Sequence, residues 1–160
     1  MTRPIRADEV ELPISGQEVS LVGIAEYSGG FLRLYFWGPV QADPRPGEYL
    51  LGIDGPFSVV FDGVRRGHDP QPGPDPLYLR FVGKVVKQAI ATRRGDLHVE
   101  FADGDTLTVE AVTRAVGSGG FEPWLLEGDY GYSAVSIAGG GLSVAQGPPN
   151  PGGLNPLSRP

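Results

Sequence analysis

The feature that most constrains this chain is the run from Leu97 to Val109. Leu97, Val99 and Phe101 alternate with His98 and Glu100, and Leu107 and Val109 alternate with Thr106 and Thr108. Successive side chains on an extended backbone point to opposite faces, so a period of two predicts two strands, each with one apolar face. Asp103-Gly104 falls between them, and Asp-Gly accepts the positive φ angles of a two-residue turn whose twist matches the strands. The segment predicts a β-hairpin.

The same punctuation continues on both sides. Lys84 to Thr92 reads as a strand that reaches Leu97 through Arg93-Arg94-Gly95-Asp96. Phe121 to Leu126, Tyr132 to Ile137 and Leu142 to Ala145 read as further strands, separated by Gly128 to Gly131 and by Gly139 to Gly141. Residues 83–146 therefore predict a meander. Residues 16–63 read as a diverged echo of it. Gly16-Gln17-Glu18-Val19, an alternating strand, Gly29-Gly30 and Leu32 to Trp37 parallel Gly83-Lys84-Val85-Val86, a strand, Arg94-Gly95 and Leu97 to Phe101. The first copy carries a longer connection, Pro39 to Gly47, then resumes with Tyr49 to Ile53 and Phe57 to Phe61 around Asp54-Gly55.

Between the copies, Val64 to Pro76 is too rich in proline for a sheet interior, because each proline lacks a ladder donor, and it predicts a surface crossing. Its end carries helix punctuation: Asp75 to cap, Pro76 at the first position, Leu77, Tyr78 and Phe81 as apolar anchors, and Gly83 to close. Residues 1–15 read as an N-terminal extension. Residues 147–160 have no periodicity and read as a disordered tail that cannot bury enough to offset its ordering entropy. The expected fold is all-β: two antiparallel β-meanders in residues 16–63 and 83–146, forming a sandwich or partly open barrel, joined by a crossing at 64–82 with at most one short helix near 75–82.

Composition narrows the function classes. With 160 residues, 40% of them hydrophobic, the chain can bury one core without staples, and with no cysteine it has no disulfides. Acidic residues outnumber basic ones 19 to 13, for a net charge of -6. That charge argues against a nucleic-acid partner held through phosphates. The N-terminal residues lack the apolar core of a secretion signal, and no stretch is long enough to span a bilayer, so a cytoplasmic location away from membranes is expected.

The ordered motifs Gly55-Pro56-Phe57, His68-Asp69-Pro70, Phe101 to Val109, Phe121-Glu122-Pro123-Trp124 and Val135 to Val144 resemble an uncharacterised family of small actinobacterial proteins classed as a domain of unknown function. The resemblance spans about Gly16 to Gln146 and implies no activity, cofactor or catalytic residue. The long Trp37 to Gly47 connection and the Pro-rich tail depart from the family pattern.

Covalent catalysis needs a nucleophile beside a base, yet there is no Cys, no GxSxG elbow, and only His68 and His98 as imidazole bases. His98 shares a strand face with Glu100, which suits surface polarity better than a zinc site requiring three or four converging ligands. Asp103, Asp105, Asp62, Asp69 and Asp75 lack the twelve-residue calcium-loop layout and suit turns. Gly117 to Gly120 and Gly139 to Gly141 lack the phosphate-loop pattern and a following helix. Arg94-Gly95-Asp96 and the doublets Arg65-Arg66 and Arg93-Arg94 read as solvated turns. No catalytic residue, metal ligand or cofactor is expected.

Aromatic residues carry the more useful signal. Leu32, Leu34 and Phe36 share one face of their strand, which leaves Arg33, Tyr35 and Trp37 on the other, either under a second layer or facing a partner. Tyr, Trp and Arg are enriched at binding hot spots. Arg33, Tyr35, Trp37, His68 in its loop, and Trp124 are the candidate binding residues, although Phe121 to Trp124 also suits an edge strand guarded by Pro123. Another protein is the expected partner, and the leading reading is a non-catalytic protein-binding module, of which a partner-neutralising protein of the immunity type is one form. The alternatives are a small-ligand-binding β barrel or clam, and a hydrolase-type enzyme using His68 or His98.

Overall fold

The computed structural model describes residues 3–24, 32–36, 48–68, 76–111, 122–128, 132–137 and 139–145. Alternating segments become strands throughout: β1 (Glu9–Glu11), β2 (Val19–Ile24), β3 (Leu32–Phe36), β4 (Tyr49–Ile53), β5 (Phe57–Phe61), β6 (Val64–His68), β7 (Val86–Thr92), β8 (Leu97–Phe101), β9 (Thr106–Val109), β10 (Trp124–Gly128), β11 (Ser133–Ser136) and β12 (Leu142–Ala145). The helix punctuation yields a short 3-10 helix, Pro76–Phe81. Among the described residues no helix is long and apolar enough to cross a membrane.

Among the described residues all strand pairs are antiparallel, in two six-stranded sheets ordered β1-β7-β8-β9-β5-β6 and β12-β11-β10-β4-β3-β2. They do not close into a barrel, and side chains from both share one core, consistent with a sandwich. Each sheet draws on both halves of the chain. The meander β7-β8-β9 is extended by the hairpin β5-β6 from the first half, and the meander β2-β3-β4 by β10-β11-β12 from the second.

The echo read from the sequence has a structural counterpart. Glu18 bridges Val85, and around that bridge Val19 N donates to Lys84 O, Gly83 N to Val19 O, Val86 N to Gln17 O, and Gly16 N to Val86 O. The two matching segments thus pair with each other, across an approximate two-fold axis. A register shift falls between Val19 and Leu21 in β2 and between Val86 and Gln88 in β7. These are equivalent places, so both copies bulge alike.

The turns refine the expected chemistry. At Asp103-Gly104, Phe101 N donates to Asp105 O and Gly104 has φ 94°. The loop is therefore three residues with glycine in the left-handed position, not two. The two-residue turn occurs at Asp62-Gly63, where Phe61 pairs with Val64 and both central residues have positive φ, 53° and 79°. That turn starts β6, so Val64 to His68 is a strand rather than part of the crossing. It forms an edge, which the prolines that follow allow.

Between the sheets lie Leu32, Leu34, Phe36, Leu51 and Ile53 from one and Phe57, Val59, Phe61, Leu97, Val99, Phe101, Leu107 and Val109 from the other, each at most 5% exposed. Phe81 of the 3-10 helix inserts with edge-on contacts to Phe61 and tilted contacts to Phe101. Each such ring contributes roughly 1.5–3 kcal/mol by leaving water. Residues 1–15 are more than an extension, because β1 pairs with β7 and Leu12 and Ile14 join the core. The tail at 147–160 lies outside the described residues.

Candidate functional site

Alternation makes each sheet two-faced, so any binding surface on the strands must be an outer face or an edge. Pairing registers define the outer rows. On the second sheet one row runs Leu21, Tyr35, Leu50, Glu127, Ser133, Ala145, and the next runs Gly23, Arg33, Gly52, Leu125, Val135, Ser143. Leu21 is 48% exposed, while Tyr35, Leu50, Leu125 and Val135 are half-buried and Arg33 and Glu127 exposed. Gly23 is part of this surface: a Cβ there would lie 3.6 Å from both Arg33 Cβ and Tyr35 Cε2, so the Tyr35 ring lies beside its backbone. The centre of the face is aliphatic and aromatic, with one cation and one anion.

The first sheet presents the opposite character. Its outer rows are Glu11, Ile90, His98, Thr108, Ser58, Gly67 and Gln88, Glu100, Thr106, Val60, Arg65. Ile90 and Gln88 are each 4% exposed, yet neither belongs to the core cluster. The chain near Arg3 covers this end of the face. Gln88 accepts from Arg3 N at 3.0 Å and donates to Arg3 O at 2.9 Å. Arg3 then grips Glu9 through two guanidinium contacts of 2.9 and 2.8 Å. The Arg3 guanidinium first, and the Arg6 amide second, hold the Glu9 carboxyl down to about 2.

The predicted residues do not gather. Arg33 and Tyr35 sit side by side on the second sheet's outer face, as the alternation required, and Trp37 lies outside the described residues. Trp124 is a correction. Strand β10 runs between β4 and β11 rather than at an edge, and Trp124 is fully buried, with Nε1 donating to Gly95 O at 2.8 Å. Ser136 Oγ donates to the same oxygen at 2.8 Å. A Cβ on Gly95 would lie 2.6 Å from Gly141 O and 2.7 Å from Ser136 Oγ, so only glycine fits where the β7-β8 turn meets the second sheet. Pro123 ends the approach to β10, and its carbonyl accepts from Asp54 N and Gly55 N. Trp124 is a pillar between sheets and offers nothing to a partner.

The histidines are also apart. His68 is not in a loop but ends β6, opposite Phe57. Three strand spacings, about 14 Å, separate it from β8, where His98 lies. His98 Nδ1 is 2.9 Å from Thr108 Oγ1, and burial pushes its pKa down against the opposing pull of Glu100. Among the described residues no three His, Asp or Glu side chains converge as a metal-ligand set.

Sequence reasoning missed a polar knot at one end of the sandwich. Asp105, 5% exposed, accepts from Asp62 N at 3.0 Å and lies 2.7 Å from Lys84 Nζ. Lys84 also meets Asp103, and Arg80 meets Asp62 while stacking 5.0 Å above the Phe61 ring. Burial disfavours the Lys84 charge, but its two aspartates outweigh that and raise its pKa. A shallow cavity of about 380 Å³ opens here, lined by Arg80, Val82, Lys84, Val85, Ala102 and Asp103 among others. The signal was the Asp-Gly-Asp triplet, but only the fold brings Lys84 and Asp62 to it. With both cations already paired, the knot ties three connections together. The cavity lies outside the core, whereas a ligand-binding clam needs its space between the sheets.

A family model described as a family of unknown function (DUF6188) matches residues 10–146, from β1 to the end of β12. No curated protein and no solved structure matches the chain.

Proposed function

The chain belongs to this family of unknown function, DUF6188, and from that premise we propose that it is a non-catalytic protein-binding module whose contact surface is the outer face of the second sheet. One observation carries the reading: the outer rows of β2, β3, β4, β10 and β11 hold Leu21, Tyr35, Leu50, Leu125 and Val135, while the related rows of the first sheet hold mostly polar side chains. An apolar centre with a Tyr, an Arg and a charged margin is the composition of an interface core. The net charge of -6 steers encounter toward a basic partner, which suits a partner-neutralising role of the immunity type.

The test is direct. Protein purified from its native host with bound partner is compared with Leu21→Asp and Tyr35→Ala variants that keep the wild-type circular dichroism spectrum. Each substitution is expected to weaken the complex at least tenfold, equivalent to about 1.4 kcal/mol. Complexes that form equally well with both variants remove this face as the contact surface.

A further inference from the structure

We propose that β6 is a second interaction surface, an open edge that accepts an extended acidic segment of another protein as an added strand. The proposal is independent of the outer face of the second sheet. Among the described strands β6 ends its sheet, pairing only with β5, through five consecutive residue pairs without a bulge. The other edges differ. β1 has three residues, closely followed by Pro13; β2 carries a bulge; β12 has four residues. A row of unpaired backbone donors and acceptors is a template for another strand, and an unbulged edge is the most competent one.

The charge on this edge identifies the occupant. Arg3, Arg80, Lys84, Lys87 and Arg94 each meet a carboxylate of their own chain. Among the described residues the side chains of Arg65 and Arg66, both exposed, make no ion pair or hydrogen bond, although acids outnumber bases by 19 to 13. Being adjacent on a strand, they point to opposite faces of the sheet. An added strand with two adjacent carboxylates would place one opposite each guanidinium, on either face. Val64, 53% exposed at the start of β6, supplies an apolar contact beside them. A second copy of β6 is the wrong occupant, because arginine would face arginine.

The probe is a short synthetic peptide of alternating threonine and valine with two adjacent central glutamates, compared with a counterpart carrying lysines there. Titration of the isotope-labelled protein by the glutamate peptide is expected to shift the backbone amides of residues 64–68. Binding should weaken as salt rises, and the lysine peptide should give no such shifts. R65E/R66E should weaken binding about tenfold, as expected for two exposed ion pairs lost. Gly67→Pro, which removes a backbone donor while keeping both arginines, should weaken it too. Binding that ignores these variants, shifts centred elsewhere, or no binding of the glutamate peptide overturns the proposal. R65T/R66T covers the competing role of the arginines as guards against aggregation. A variant that stays monomeric and loses the peptide supports the site, whereas one that self-associates while the wild type ignores the peptide overturns it.

Discussion

The two related meanders, β2-β3-β4 and β7-β8-β9, share an inward pattern and differ outward. Leu32, Leu34 and Phe36 in one match Leu97, Val99 and Phe101 in the other, all at most 1% exposed. On the outside, Arg33 and Tyr35 stand where the second copy has His98 and Glu100, and Leu50 and Gly52 stand where it has Thr106 and Thr108. A shared core constrains one row of each strand, because packing near crystal density punishes changes of a single methylene. The other row answers only to solvent, a strap or a partner. Divergence between outer faces is therefore the most informative difference in the molecule.

The largest test of the comparison lies inside. Phe36→Ala and Phe101→Ala should each lower stability by about 3–5 kcal/mol in denaturant titrations. A cost confined to one copy would break the equivalence of the halves. Next come two glycines with the same turn role. Gly95→Ala meets both a positive φ and the Gly141 and Ser136 oxygens. Gly104→Ala meets only the positive φ, with no atom within 4 Å of its new Cβ. The first should cost roughly 3 kcal/mol or more and the second about 1. Similar costs would show that the Gly95 contact with the second sheet is slack.

Smaller effects sharpen the outer contrast. Tyr35→Ala and His98→Ala should each change stability only slightly, within about 1 kcal/mol. Of the two, only Tyr35→Ala should weaken partner binding. The smallest effect belongs to the strap over the first sheet. Glu9 titrates normally near 4.5 but near 2 when held by Arg3. Its carboxylate therefore supports the strap fully above about pH 4.5, and that support fades as pH falls toward 2. The protection factor of the Arg3 amide, its exchange rate compared with the intrinsic rate at each pH, should fall over that window, and Glu9→Gln should bring the loss of protection to neutral pH.

Much of the fold was legible because alternation reports directly on burial. The hairpin of β8 and β9, the strand Leu142–Ala145 and the inward Leu32-Leu34-Phe36 set follow from period two alone. Turn geometry was less legible. Asp62-Gly63 makes the two-residue turn, yet the prolines from 70 onward drew the strand starting at Val64 into a crossing. Strand partners were not legible either, because nothing local says that β5 leaves its own meander to join β9. Trp124 shows the limit for sites: an aromatic after a proline reads the same whether it faces solvent or donates to Gly95 O. Arg33 and Tyr35 could be placed because their neighbours in sequence fixed their side of the strand.

The pairing of Gly16–Val19 with Gly83–Val86 has a consequence for how the molecule assembles. Each sheet takes strands from both halves, so a nascent chain that has emerged only as far as β6 holds a meander and a hairpin with no sheet to unite them. The central bridge closes only after residue 85 is available, and β4 gains its second neighbour only with β10. Contacts so distant along the chain make folding slow. Acquisition of structure is then a late event involving the whole domain, and cutting the polypeptide between its copies leaves two fragments that need each other.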